Sequence, residues 1–323
     1  MNHRLLAIGL SLIWAACAAT PGFAAEADPN AQGWSVLRDA AEFRNAGEEA
    51  DRLIASGWSA PSGDLAALLR TRKPLIERAR AVDWEAFFSA EAPPSPEADP
   101  RDRVFRESRN LARFLLLDAR RLQYAGKTAE AEADALAVRR LSKAIGRRLN
   151  LISYGTSLKL STMLAPIARE LALRDPAPCP GKMSDYLRVE GGRTADTIAQ
   201  SMIEYEAPTP RAAEFVRKAA EKSAELVRHY FERLAEAADD PSSGEMDAVL
   251  KEIDDWRKKL DKRFKKYESA EDLIADYAAN PENFDEEEVT ATIARLFVSI
   301  AVPNVRGMAK MAQNCADAYR GVK

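Results

Sequence analysis

Histidine and cysteine are nearly missing: the 323 residues include two His and three Cys. That scarcity weighs against zinc chemistry, because one ion needs three or four deprotonated ligands held around it. No HExxH, CxxC pair, GxSxG elbow, P-loop or dinucleotide fingerprint occurs, so the common hydrolase and nucleotide-binding motifs are absent. Glycine (15), proline (17) and aromatics (7%) are also sparse. Charge of one sign is lacking too: 47 basic and 50 acidic residues leave a net −3, with no overall basic field to attract nucleic acid. What fills the chain is Ala, Leu, Glu, Lys and Arg. Such side chains keep their rotamer freedom in a helix. With 46% hydrophobic and 30% charged residues, this is the composition of a folded domain rather than of a disordered tail.

The first 25 residues stand apart. A basic tip (Met1-Asn2-His3-Arg4) leads into an apolar run from Leu5 to Ala16, then a small-residue stretch through Ala25. This is the pattern of a signal peptide over residues 1–24, with cleavage near Ala24 or Ala25, and its apolar core is shorter than a membrane span needs. Periplasmic or secreted localisation is the expectation. Trp14-Ala15-Ala16-Cys17 also resembles a lipoprotein box, so a form anchored at a lipidated Cys17 is the alternative. Processing removes Arg4, His3 and Cys17, which leaves a net charge of about −4, with His229, Cys179 and Cys315. An exported chain permits a Cys179–Cys315 disulfide. Two unrelated thiols remain equally open, since spacing in sequence does not set separation in space.

From residue 25 onward the spacing predicts one all-helical domain, with a subdivision near 175–192. Amphipathic segments cover 34–55 and 64–82, and the proline-rich stretch 92–100 reads as a loop. Val104, Leu111, Leu115 and Leu122 repeat at helical spacing, with Phe114 and Leu117 widening the stripe. Gly126 breaks that run, Thr128 is the expected cap of the next helix, and Ala131, Ala135, Val138, Leu141 and Ile145 continue the stripe. A helix over 149–173 is apolar on most faces and bends at Pro166. Further on, Gly191-Gly192 reads as a helix end and Thr209-Pro210 as a helix start. Ser242-x-x-Glu245, Ser269-x-x-Asp272 and Asp285-x-x-Glu288 resemble capping boxes. One long final helix over 286–319, kinked at Pro303, completes the expected set.

Leu116-x-x-Ala119, Leu122, Tyr124-Ala125-Gly126-Lys127, Ala131 and Ala135 look like a tetratricopeptide hairpin, with a Gly turn and small residues where helices approach. Stacked hairpins of this kind, a degenerate α-solenoid, are the expected arrangement. The order of features resembles a broad family of exported or anchored bacterial all-helical proteins with a tetratricopeptide-like hairpin. The resemblance is carried by 64–81, the hairpin 111–141, Leu151-Ile152-Ser153-Tyr154 and the apolar segment Leu296–Asn304. It implies a helical-repeat fold and brings no assigned activity.

Candidate chemistry is thin. Glu225-x-x-x-His229-x-x-Glu232 places three ligand types on one helical face, but a carboxylate-bridged di-iron centre needs a second His-bearing helix. Arg106-Glu107-Ser108 matches the Glu-Ser dipeptide of exported glycan-cleaving solenoids. The flanking Arg106 and Arg109 argue for a charged, solvated carboxylate instead of the buried acid such cleavage needs. The run 251–266, with eight basic and four acidic residues around Trp256, is a basic amphipathic helix suited to weak contact with anionic envelope polymers or lipid. No catalytic, cofactor or metal residue is therefore assigned. The expectation is a non-enzymatic extracytoplasmic scaffold for a protein or peptide partner. The alternative is an envelope enzyme or glycan-binding protein with a carboxylate site between helices.

Overall fold

A computed structural model describes residues 31–41, 43, 47–89, 100–173, 180–203, 210–240, 243–263, 276, 279–280, 285–302 and 305–320. Among them the chain is all-helical, with no strand. The helices are α1 (Ala31–Ala40), α2 (Gly47–Ser56), α3 (Gly63–Thr71), α4 (Lys73–Ala81), α5 (Trp84–Ser89), α6 (Pro100–Tyr124) and α7 (Thr128–Gly146). They continue as α8 (Leu151–Glu170), α9 (Met183–Ile203), α10 (Pro210–Asp239), α11 (Glu245–Arg263), α12 (Glu286–Ala301) and α13 (Val305–Tyr319). The chain divides into two compact units. One comprises Ala24–Gly181 with Met308–Lys323, the other Lys182–Gly307.

The first unit is built on α6, α7 and α8, each packed on the other two. Helix α6 is lined by α1 and α2 as well, so it is enclosed on most sides. Leu111, Ala112, Phe114, Leu115, Leu116, Leu117 and Ala119 are all fully buried. A charged side chain in such a place needs a partner. Arg120 donates from Nε and Nη2 to the carbonyl of Ile54, at 2.9 and 2.7 Å, and also pairs with Glu170. It thereby closes a carbonyl near the end of α2 that the helix itself leaves without a donor. The α6–α7 turn is set by Gly126, at φ +72°. Its neighbour Lys127 donates to Leu122 O at 2.8 Å and Gly126 to Gln123 O at 3.0 Å, the Schellman closure that wants a residue of positive φ. Ala131 and Ala135 then bury completely against the core.

Between α7 and α8 the contact is made by serines. Ser142 Oγ lies 3.1 Å from Ser157 Oγ and 3.0 Å from Ser161 Oγ, and Ser157 donates to Ser142 O at 2.8 Å. Small hydroxyls here let two helices approach while satisfying each other. Tyr319 of α13 donates to Ser161 O at 2.8 Å, which ties the returning chain end to the same seam.

In the second unit α9 and α10 form a long pair, and α12 packs against α10, α11 and α9. Trp256 of α11 is buried between the ring of Tyr230, 4.4 Å away, and the guanidinium of Arg295, 4.9 Å from its centroid. Helix α11 therefore turns its aromatic residue inward, while Lys251, Lys258 and Lys259 stay exposed. The expected run 251–266 is described only as far as Arg263.

Several expected boundaries are corrected. The segment 34–55 is two helices, and 64–82 is α3 and α4, broken at Arg72 just before Pro74. The cause is Pro74, which has no N–H to give back to the preceding turn. Thr128 is the first helical residue rather than the cap, and Lys127 before it supplies no side-chain acceptor. Gly191-Gly192 does not end a helix, because α9 runs through both. The long final helix is two helices, α12 stopping at Ala301 and α13 starting at Val305, the break falling around Pro303. Asp285 does cap α12, accepting from Glu287 N at 3.0 Å. Ser269-Asp272, Thr209 and Cys179 lie outside the described residues, and so do the signal segment and most of the loop 92–100.

Candidate functional site

The strongest concentration of buried charge lies where α4, α6 and α7 meet, in the first unit. Asp134 of α7 has no exposed surface, and Asp118 of α6 is 3% exposed. The helical stripe puts them there. Asp118 falls between Leu115 and Leu122, and Asp134 beside Ala131 and Ala135, on faces that are otherwise largely apolar.

Two arginines at the rim answer the two acids. Arg80 of α4 donates from Nε to Asp134 Oδ1 at 2.7 Å and from Nη2 to the Glu130 carbonyl at 3.3 Å. Arg121 donates to Asp118 Oδ1 at 2.6 Å. Asp134 Oδ2, by contrast, has no hydrogen-bond partner although it is fully buried. Burial lifts the Asp134 carboxyl from the ordinary 3.8 up to about 7, opposed by the Arg80 hydrogen bond and reinforced by the nearby charge of Asp118. The bonded arginine raises no comparable cost for itself, since Arg80 keeps 26% of its side chain in water. Burial of the unbonded oxygen therefore favours the protonated form of Asp134.

The residues that the sequence singled out are not brought together. Glu225, His229 and Glu232 are exposed on α10, and the Glu232 carboxylate is engaged by Arg188 of α9 at 3.0 Å. Among the described residues no group of three or more His, Cys, Asp or Glu is placed to hold a metal ion. Cys315 is buried, and its proposed partner Cys179 lies outside the described residues. No described helix is long and apolar enough to cross a membrane.

Glu107 corrects the solvated-helix expectation. It is 1% exposed, accepting from Asn110 Nδ2 at 2.8 Å and lying 3.3 Å from Arg106 Nε. Beside it Ser108 is fully buried, and its Oγ finds no hydrogen-bond partner. Local sequence points to a charged surface because two of the five residues around it, Arg106 and Arg109, are arginines. Packing of other helices against the Glu107 face of α6 decided otherwise.

What the fold and this cluster define is an all-helical protein with a buried pair of acids in its first unit. No family model, curated protein or solved structure matches the chain.

Proposed function

We propose that the chain is an exported, non-enzymatic helical scaffold that binds a protein or peptide partner, its helices stacked as tetratricopeptide-like hairpins. The observation that carries this reading is the α6–α7–α8 arrangement. A hairpin closes at Gly126, small residues line the approach, and the next helix packs on both members. Helical repeats are built by that step, repeated. The resemblance stated above, which rests on sequence pattern, agrees with it. Export is supported by residues 1–25 alone, with lipidation at Cys17 as the anchored form. Basic side chains of α11 suit weak contact with anionic envelope polymers or lipid.

A second reading is favoured by the buried acids Glu107, Asp118 and Asp134. In it the protein is an envelope enzyme or glycan-binding protein with a carboxylate site between helices. The scaffold reading leads because each of these acids is engaged by a side chain of its own unit, Asn110, Arg121 or Arg80.

Two measurements test the proposal. Sequencing the amino terminus of exported material should give a start near Ala25, and an intact Met1 start would sink export. For binding, cross-linked complexes from native envelope extract should yield one stoichiometric partner. Glu107→Gln, Glu225→Ala, His229→Ala and Glu232→Ala should each retain it. A folded variant losing more than about 100-fold of an assigned activity, about 2.7 kcal/mol, would put the enzyme reading first.

A further inference from the structure

We propose that Asp118 and Asp134 share a single proton in the folded chain, and that this proton is a latch on the α4–α6–α7 seam whose hold weakens as the surroundings turn alkaline. The geometry is specific. Asp134 has one oxygen on Arg80 Nε and the other buried with no donor, next to a second buried carboxyl. An anionic oxygen wholly out of water with no hydrogen bond is costly, and a proton placed between the two acids removes that cost. Arg80 and Arg121 keep 26% and 34% of their side chains exposed, so water already screens them and their bonds to Oδ1 do not serve Asp134 Oδ2.

Helix α6 supplies Asp118 and Arg121, and α4 supplies Arg80, with Lys73 acting on Glu130 further along. On α7 itself Glu130 pairs with Lys127, and Arg140 donates to the Arg80 carbonyl at 3.5 Å. From α8 the polar groups meeting α7 are Ser157 and Ser161, bonded with Ser142, while Glu170 is taken by Arg120. The short helix α5 presents Glu85, which pairs with Arg147. His229, the one histidine described, lies in the other unit.

The sign follows from where the proton resides. An unfolded Asp releases its proton near 3.8, whereas the folded chain keeps it to about 7. Between those values folding takes up a proton, so acid favours the folded form and alkali removes the advantage. Across that window the folding constant should fall up to about tenfold per pH unit, about 1.4 kcal/mol. Above it this contribution is flat.

The test is denaturant unfolding of the full chain from about pH 4 to 9, for wild type and Asp134→Asn. The amide imitates the protonated acid, donating towards Asp118 and accepting from Arg80. The expected result is that the variant gains on wild type by up to about tenfold per pH unit as pH rises to about 7, then runs parallel. Curves parallel throughout would overturn the proposal, because both acids would then be ionised or the proton would sit elsewhere. Should the variant fail to fold, infrared spectra of wild type decide instead. A protonated carboxyl band should be present near pH 6 and gone near pH 9. Its absence near pH 6 overturns the latch.

Discussion

Leu115→Ala should cost about 2–5 kcal/mol of folding stability, among the largest losses open to a single truncation in this chain. Leu115 sits mid-way along α6 and has no exposed surface. Its neighbours in sequence, Phe114 and Leu116, are equally buried, and Phe114 stacks on Phe43 with ring centroids 4.1 Å apart. A side chain removed from such surroundings leaves a void that helices on several sides cannot all move to fill. The lost transfer energy and the cavity then add. Tyr124→Ala, nine residues on in the same helix, is the control. That ring is 79% exposed, and its loss should stay within about 0.5 kcal/mol. Denaturant midpoints of the two variants measure the contrast. A loss below about 0.5 kcal/mol for Leu115→Ala would mean that its face of α6 is not the packed one.

How much of this was legible beforehand varied with how local the cause was. The apolar stripe of α6 and the Gly126 turn are both short-range features, and both appear where the spacing placed them. Helix breaks at Arg72 and near Pro303 were announced by Pro74 and Pro303, but the apolar periodicity across them was continuous enough to hide the stop. The acid pair was also within reach. Asp118 and Asp134 occupy positions of the very stripes that Leu115, Leu122, Ala131 and Val138 define. A polar residue on an otherwise apolar face is the signal that identifies them, and reading the stripe only for its apolar members passes over it. Arg80 was not legible, since its partner lies 54 residues away and on a different helix. Glu107 failed for a related reason. Flanking arginines describe the local charge, whereas burial is set by which helices surround α6.

Gly191→Ala and Gly192→Ala should move stability in opposite directions, although the two glycines are neighbours in one helix. Glycine in a helix interior ordinarily weakens it, so replacing it with alanine gains about 0.5–1 kcal/mol where space allows. At Gly192 space does allow: an added Cβ meets nothing within 4 Å. At Gly191 that atom would lie 2.4 Å from Phe231 Cβ and 2.8 Å from its Cγ. Phe231 belongs to α10 and is itself 1% exposed, so neither its backbone nor its ring has room to retreat. The Cβ contact is also one that no rotation of the phenyl ring relieves. Helices α9 and α10 must therefore separate, disturbing the longest packed pair of the second unit, at a cost of about 1–3 kcal/mol or more. Sequence alone invites the opposite interpretation, a double glycine as a helix stop, because the residue that requires Gly191 is 40 positions downstream. Thermal or denaturant unfolding of both variants settles the matter. A Gly191→Ala chain as stable as wild type would show that α9 and α10 do not approach this closely, and the α9–α10 packing described above would have to be redrawn.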